Sequence, residues 1–238
     1  MIIQPFVFNW VGKHESTLEI TSQLQNLFDS VTVVNSDDNY CHKDWLNIGD
    51  KFYFSGQFNT ALKHFSGDVL FHIQGDVSYS RWKSLIQHAT FYMKYYKCGI
   101  YAPNLTATRW PTKRVKIADP NSLVPQKNLD IVSCPDETVW FIHKDIINKL
   151  HELEIKFSDN DFGWGIDVTF AAISFLMKRL VLRDSNHLIN HPRGTNYNME
   201  IAQQQLEKFR VSIPNEINSI IDLIESNKKH AEIYKYLI

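Results

Sequence analysis

The stretch SGQFNTALKHFSGDVLFHIQGDVSY, residues 55–79, places a helix pattern directly before a strand pattern. Apolar side chains recur at helical spacing over residues 59–65, and residues 68–73 have the dense apolar content of a short buried strand. This strand pattern stops at Gly75 and Asp76. Because an unpaired carboxylate is costly in a core, we expect Asp76 to lie beyond the carboxyl end of the strand, where ligands bind in α/β sheets.

Strand and helix patterns alternate along the rest of the chain. Strands are also expected at residues 6–10, 31–34, 98–101, 137–143 and 180–182. The helix after the first of these strands is expected to begin at a capping box formed by Ser16 and Glu19. Such alternation is typical of an α/β layer fold with a mostly parallel sheet flanked by helices.

Residues 198–238 have a helical pattern and are interpreted as a C-terminal extension. Four isoleucines recur on one side of a helix in this tail, at Ile217, Ile220, Ile221 and Ile224. The stripe must be covered by the body of the protein or by a partner. The sequence therefore allows two further roles for the stripe, a homo-oligomer formed through these helices or peripheral contact with a membrane.

Composition excludes several classes of protein. The chain has 238 residues, of which 44% are hydrophobic, enough for one substantial core, and its net charge of −1 gives no overall attraction to nucleic acid or anionic membrane. Its cysteines, Cys41, Cys98 and Cys134, have neither disulfide-framework nor zinc-knuckle spacing, which indicates a reducing compartment. The start of the chain lacks a signal-peptide pattern and no run is long enough to span a membrane, so we expect a cytoplasmic protein.

A second motif, DFGWGIDVTFAA, occupies residues 161–172. The opening stretch resembles the segment of GT-A-fold glycosyltransferases in which a helix precedes a strand that ends in an Asp-x-Asp motif. Residues 161–172 resemble the loop and helix that carry the acceptor-activating carboxylate in inverting, family-2-like members, and the order of the two motifs matches that superfamily over about residues 3–197. The resemblance implies a GT-A-like, Rossmann-type catalytic domain over residues 1–197, with a donor half over about residues 1–101 and an acceptor half over about residues 102–197.

The resemblance further implies transfer of a sugar from a nucleotide sugar, with a UDP-sugar favoured, to an acceptor hydroxyl. Asp76 would hold a divalent metal, Mn²⁺ or Mg²⁺, because hard cations prefer oxygen ligands and neutralise a leaving diphosphate. The sequence departs from the motif at Gln74, which stands at the first Asp position and would act through water or bind the donor ribose. A histidine after the last strand would complete the metal shell, with His191 as first choice and His187 as its competitor. The plain alternative is that Asp76 caps the next helix and His191 is structural.

Polar residues at other strand ends and on the preceding helix are candidate donor contacts. The donor-binding set is Asn9, Asn35, Asp37, Asn59, Gln74 and Arg193. Arg193 would contact the diphosphate, since the fork of a guanidinium matches phosphate oxygens. The alternative for Asn35 and Asp37 is ordinary turn chemistry, in which these side chains bond their own backbone.

Transfer with inversion needs a carboxylate that deprotonates the acceptor hydroxyl as it attacks the anomeric carbon. Asp167, at the start of a helix pattern after a Gly-Trp-Gly turn, is the candidate base, with Asp161 in reserve. Trp164 would stack on an acceptor ring. The alternative is that Asp167 caps the helix and Trp164 is a core residue.

Two other functions stay open in the sequence. A nucleotidyltransferase would carry a glycine-rich stretch with a basic residue after the first strand, whereas only Gly12 and Lys13 stand there. Gln74 in place of Asp makes an inactive nucleotide-sugar-binding module conceivable. Motifs of serine hydrolases, HExxH metalloproteases, phosphate-binding loops and dinucleotide-binding folds are absent from the sequence.

The sequence leaves the acceptor open between a glycan, a protein and a modified nucleic acid. Residues 102–130 contain four prolines and the basic residues Lys113, Arg114 and Lys116, and long irregular segments of this kind often form a lid or binding loop. The basic side chains would suit a phosphate-bearing acceptor, although a solvated surface is their commoner role.

Overall fold

The structure is a computed structural model that describes residues 1–110, 116–118, 128–158, 160–192, 197–226 and 230–236. Within these residues one sheet of nine strands has the order β3-β2-β1-β4-β8-β5-β9-β7-β6. The strands are β1 Ile3–Asn9, β2 Thr32–Asn35, β3 Leu46–Asn47, β4 Val69–Gln74, β5 Cys98–Leu105, β6 Lys116–Ala118, β7 Leu129–Val132, β8 Val139–His143 and β9 Leu180–Ile189.

Most strands of this sheet point in the same direction. Strands β3, β2, β1 and β4 are mutually parallel, and β5 is parallel to β9. Strand β8 is antiparallel to both β4 and β5, and β7 is antiparallel to β9 and β6. Seven of the nine described strands therefore share one direction, which confirms the predicted mostly parallel α/β sheet. Because β8 is reversed, the start of β8 lies beside the carboxyl end of β4, with Val139 opposite Ile73.

Helices cover both faces of the sheet. They are α1 His14–Gln25, α2 Phe54–His64, α3 Trp82–Tyr95, α4 Lys144–Glu152, α5 Ile166–Leu176, α6 Met199–Ser212, α7 Asn215–Glu225 and α8 His230–Ile233. Side chains of β1 alternate between the two faces, as a strand requires: Phe6 and Phe8 pack with α2 and α5, whereas Val7 packs with α1 and α3. Each face thus has its own apolar core.

The C-terminal tail packs on the body of the protein. The four isoleucines of α7 are fully buried in the same core as α5, and α7 contacts α5 directly. The isoleucine stripe is therefore covered by the chain itself. Among the described helices, none combines the length and the apolar character that crossing a membrane would need.

Local boundaries differ from the sequence predictions where tertiary contacts outweigh local patterns. Helix α1 begins at His14, so Ser16 lies inside it and donates its hydroxyl hydrogen bond to the Gly75 carbonyl instead of capping the helix. Helix α2 begins at Phe54, five residues before the predicted start, and β9 continues to Ile189. Of the predicted irregular segment, the parts described include the end of β5, all of β6 and the start of β7, whereas Lys113 and Arg114 lie outside the described residues.

Candidate active site at the carboxyl edge of the sheet

The turn after β4 depends on Gly75. Its N–H donates to the Phe8 carbonyl at 2.9 Å, and a Cβ at this position would lie 2.5 Å from that carbonyl oxygen. Only glycine allows this close approach to the end of β1. The chain therefore turns sharply after β4, where it passes close to β1 and α1. This turn holds Asp76 at the edge of the sheet, where the sequence predicts it.

Asp76 carries an unsatisfied oxygen. Its Oδ1 is buried and has no hydrogen-bond partner among the described residues, whereas its Oδ2 lies 3.7 Å from His191 Nε2. Burial raises the pKa of the Asp76 carboxyl, and the nearby His191 and Lys13 act in the opposite direction. A buried carboxylate oxygen without a donor is costly unless a cation or another ligand group binds it.

His191 is oriented by the backbone around it. The backbone N–H of His191 donates to Thr106 Oγ1 at 3.0 Å, and its ring Nδ1 lies 3.1 Å from the Ala107 carbonyl oxygen. A carbonyl only accepts, so this contact assigns a proton to Nδ1 and leaves the lone pair on Nε2 in the neutral ring. A nitrogen lone pair and a carboxylate oxygen 3.7 Å apart form an arrangement that suits a shared divalent cation.

Asp167 lies in the first turn of α5. The helix begins after Gly165, whose φ of 89° is in the left-handed region that favours glycine. Asp167 Oδ2 accepts the indole N–H of Trp110 at 2.6 Å, and its Oδ1 accepts the N–H of Val168 at 2.7 Å. Burial raises the pKa of Asp167 to about 6. The backbone contact satisfies a free amide of the first turn, as a helix-capping role would, while the raised pKa suits a general base.

Two acidic residues that the sequence interpretation missed lie near Asp167. Asp136 precedes β8, and its Oδ2 accepts the Thr108 hydroxyl at 2.8 Å. Its negative charge raises the pKa of both Asp76 and Asp167, so it lies near both. Glu137 has a buried Oε2 without a partner in the described part of the chain; burial, and then the charges of Asp167 and Asp136, raise its pKa well above the ordinary value.

The segment of residues 107–110, which we call the bridging segment, joins the two ends of this acidic group. The carbonyl of its first residue contacts His191, the hydroxyl of its second contacts Asp136, and the indole of its last contacts Asp167. Three residue steps span at most about 11 Å. His191 and Asp167 therefore contact backbone and side-chain groups of one short segment, and we call the region along it, from Asp76 to Asp167, the candidate crevice.

Aromatic and cationic groups surround the Asp167 end of the crevice. The Arg109 guanidinium lies 5.5 Å from the ring centre of Trp110 and 5.9 Å from that of Trp164, within the range of cation–π contact. Trp164 is partly buried and donates its indole N–H to the Tyr197 hydroxyl at 2.7 Å. Its indole donor is thus already paired, and its ring packs beside a cation.

The predicted donor residues at the end of β2 are held by internal bonds. Asn35 Oδ1 accepts from Asn9 Nδ2 at 2.6 Å and from the Asp37 N–H at 3.0 Å, and its Nδ2 donates to the Tyr40 carbonyl at 2.8 Å. Asp37 Oδ1 accepts from the N–H and the amide of Asn39. These contacts are the turn chemistry that was the alternative for Asn35 and Asp37.

The other predicted residues lie on several different elements. Gln74, the last residue of β4, and Asn59, on α2, are both half-buried. Arg193 lies outside the described residues. Asp161 is exposed; its Oδ2 accepts from Gln205 Nε2 at 2.9 Å, in a surface pocket of about 380 Å³ against helix α6. The structure thus pairs Asp76 with His191, connects Asp167 to His191 through the bridging segment, and places the Asp161 carboxylate among contacts with α6.

Comparison with known proteins supports the fold. No protein-family model and no curated protein matches the sequence. Among solved structures, GalNAc-T7 with UDP, GalNAc and Mn²⁺ is similar with a TM-score of 0.61 at 7% identity, over 98% of this chain and 54% of that one. The mannosyltransferase PcManGT from Pyrobaculum calidifontis, in complex with GDP-Man and Mn²⁺, is similar with a TM-score of 0.56 at 10% identity, over 99% of this chain and 73% of that one. The chain corresponds to about half the length of the first of these, and it has the fold of GT-A-type glycosyltransferases.

Proposed function

We propose that the protein is a glycosyltransferase that moves a sugar from a nucleotide-sugar donor to an acceptor hydroxyl with inversion. The observation that carries the proposal is a grouping of side chains: an unsatisfied carboxylate beside a histidine at one end, and a carboxylate of raised pKa at the other. One short segment contacts both ends. This is the arrangement that a metal-bound diphosphate and a general base require on either side of a sugar.

Asp76 and His191 fit a divalent cation such as Mn²⁺ or Mg²⁺. The buried Oδ1 of Asp76 lacks a donor among the described groups, and the Nε2 lone pair of His191 is 3.7 Å from the other carboxylate oxygen. Carboxylate and water ligation suits Mn²⁺ and Mg²⁺, and imidazole is a ligand typical of transition metals. When bound there, the cation would neutralise negative charge that develops on the leaving nucleoside diphosphate.

Asp167 acts as the general base. As the acceptor hydroxyl oxygen forms its bond to the anomeric carbon, the bond from that carbon to the diphosphate oxygen breaks on the opposite side, and the hydroxyl proton passes to the Asp167 carboxylate. With a pKa of about 6, Asp167 is ionised at neutral pH and is still a stronger base than an ordinary aspartate. The Trp110 indole N–H and the Val168 N–H hold the carboxylate in place. Asp161 stays the reserve base.

Cationic side chains complement the leaving group and the acceptor. Lys13 is close enough to Asp76 to influence its pKa, so its ammonium group is available to the diphosphate end of the crevice. Arg193 is proposed as a further diphosphate contact. Arg109 and the ring of Trp164 border the acceptor end, where we propose that Trp164 packs against an acceptor ring.

The donor nucleotide binds at the ends of β1, β2 and β4. We propose that Asn9, Asn35 and Asp37 form a preorganised rim for it, because their mutual hydrogen bonds fix the backbone there. Gln74 and Asn59 complete the proposed donor set. UDP-sugars are the first donors to test and GDP-sugars the second, since the two similar structures contain UDP with GalNAc and GDP-Man.

A second candidate is a nucleotide-sugar-binding module without transfer activity. Gln74, at the position of the first acid of the Asp-x-Asp motif, favours it because an amide is a weaker ligand for hard cations than a carboxylate. The raised pKa of Asp167 favours the enzyme, since a module that only binds has no use for a base.

The test offers the purified protein a panel of nucleotide sugars, with Mn²⁺ or with a chelator, and measures nucleoside diphosphate release and thermal shift. We expect one donor class to stabilise the protein in a metal-dependent way and to be consumed when an acceptor is supplied. Selective stabilisation without turnover over a broad acceptor panel would favour the binding module. The absence of any selective donor response would contradict both candidates.

A further inference from the structure

A second cluster of metal-binding side chains lies apart from the residues that form the crevice. His88 projects from α3, and Asp184 and His187 belong to β9. His187 Nε2 is 2.9 Å from His88 Nδ1, which is 3.1 Å from Asp184 Oδ2. The third edge of this triangle, from His187 Nε2 to Asp184 Oδ2, is 3.8 Å.

Hydrogen bonds alone do not satisfy this triangle. The neutral ring of His187 carries a single proton, on either Nε2 or Nδ1. If Nε2 of His187 donates to His88 Nδ1, that nitrogen presents its lone pair to the Asp184 carboxylate; if His88 Nδ1 is protonated instead, its one hydrogen is shared between two acceptors. In either case two acceptor atoms face each other along one edge of the triangle, in a largely buried place.

The dimensions of the triangle match those of a zinc site. A triangle with these three edges has a circumradius of about 1.9 Å, so a cation slightly out of its plane lies about 2.0–2.1 Å from all three atoms, as Zn–N and Zn–O bonds require. Two imidazoles and one carboxylate form a common zinc ligand set, with a fourth position left for water.

Outer contacts orient each buried ligand. The other ring nitrogen of His187 lies 2.6 Å from the Tyr79 hydroxyl. Asp184 Oδ2 accepts the Tyr101 hydroxyl at 2.6 Å, and its Oδ1 accepts the Asn186 N–H at 2.8 Å. Such partners fix the tautomer of a ligating histidine and the rotamer of a ligating carboxylate, and they are typical of metal sites.

We propose that His88, Asp184 and His187 bind a Zn²⁺ ion with a structural role. The ion links α3 to β9. This link lies close in sequence to both Asp76 and His191, since Tyr79 follows Asp76 by three residues and His187 precedes His191 by four. The site is independent of the proposed transfer reaction, because it shares no ligand with Asp76, His191 or Asp167.

The experiment measures Zn²⁺ stoichiometry and affinity of the full chain by competition with a chromophoric chelator, and it uses the visible absorption of Co²⁺ as a report on tetrahedral nitrogen and oxygen ligation. The central variant is His88→Ala, because the His88 side chain is 41% exposed and its loss is expected to leave the fold intact. His151→Ala, at an exposed histidine of α4, is the matched control, and Asp76→Asn tests whether the crevice contributes.

We expect one tightly bound Zn²⁺ in the unaltered protein, in His151→Ala and in Asp76→Asn. Affinity should fall at least about a hundredfold in His88→Ala, since removing even an outer partner of a ligand costs about 10- to 100-fold. Asp184→Asn should show the same loss with a folded circular dichroism spectrum. Failure of the unaltered protein to bind Zn²⁺, unchanged affinity in His88→Ala, or loss of the ion in Asp76→Asn would each overturn the proposal.

Discussion

The polar groups that follow β2 and β4 occupy equivalent positions, on the two sides of β1, yet their side chains are used in opposite ways. After β2, the amide of Asn35 is bonded on every side and the Asp37 carboxylate closes a turn with Asn39. After β4, the Asp76 carboxylate keeps a buried oxygen without a partner in the described structure. A polar group that is satisfied internally maintains the fold, whereas one that is buried and unsatisfied is available to a ligand.

The same contrast separates the two candidate bases. The Asp167 side chain is half-buried, and burial together with the nearby charge of Asp136 keeps the affinity of its carboxylate for a proton high. The Asp161 carboxylate is exposed and bonded to Gln205 of α6. Proximity along the chain, which made both residues candidates in the sequence, therefore does not give them the same environment.

The largest effect is expected from Asp167→Asn. It removes the general base, so the transfer rate should fall by about 10²- to 10⁴-fold, while metal-dependent donor binding stays nearly intact because Asp76 and His191 are unchanged. Single-turnover kinetics and donor titration measure the two quantities. Asp161→Asn is the matched control and should leave the rate almost unchanged; if it abolishes transfer and Asp167→Asn does not, the roles are reversed.

Asp76→Asn is expected to have the next largest effect. Loss of the anionic oxygen should weaken Mn²⁺-dependent donor binding about a hundredfold, in proportion to the loss of a direct metal ligand. Folding should be unaffected, because one oxygen of Asp76 makes no hydrogen bond within the described chain. Calorimetric titration of donor with and without Mn²⁺ measures the change. Equal donor affinity in the variant and the unaltered protein would mean that the metal, if any, binds elsewhere.

Asn35→Ala, in contrast, should lower the stability of the protein more than its affinity for the donor. It leaves the Asn9 amide, the Tyr40 carbonyl and a turn N–H without their partner, so the free energy of unfolding should fall by about 3 kcal/mol. Chemical denaturation measures this loss. Asn59→Ala, at a half-buried position of α2, is the control and should change the free energy of unfolding only slightly. A stable Asn35→Ala variant that has lost donor affinity would show that Asn35 contacts the ligand directly. It would contradict the claim that the polar side chains at the end of β2 maintain the fold while Asp76 is available to a ligand.

Trp110→Phe is expected to give the smallest effect, visible in the pH profile. Transfer requires ionised Asp167, so the rate of the unaltered protein should rise with pH through about 6. The Trp110 N–H lowers the pKa of Asp167, and its removal should shift this rise to higher pH. Trp82→Phe, which loses an indole bond to Gln23 far from Asp167 in the chain, is the control. An unshifted profile would show that Asp167 is not the titrating group.

The sequence predicts much of the fold because the relevant signals are local. Apolar runs and helical periodicity locate β4, β5, α5 and the helical tail, and the Gly75–Asp76 turn follows from the cost of burying a carboxylate. The predicted start of α1 was wrong because the Ser16 hydroxyl donates to the Gly75 carbonyl, 59 residues away, and no local pattern reveals that partner.

The remaining part of the site depends on strand pairing. Asp136 and Glu137 stand before an apolar strand in the sequence, and this acidic pair is a signal that could have been noticed. Its relevance depends on the reversed direction of β8, which places the start of that strand beside the end of β4. Likewise, Trp110 becomes a partner of Asp167 only through contact over 57 residues. Such long-range neighbours are set by topology, which short sequence windows do not contain.

The most direct test of the central claim is the position of Mn²⁺ and a nucleoside diphosphate in a crystal of the protein, located by anomalous scattering from the metal. We expect a manganese peak within coordination distance of Asp76 and His191, the diphosphate beside it, and Asp167 facing the same crevice across the space for one sugar. A manganese peak away from Asp76, or a nucleotide bound on a surface that Asp167 does not reach, would contradict it.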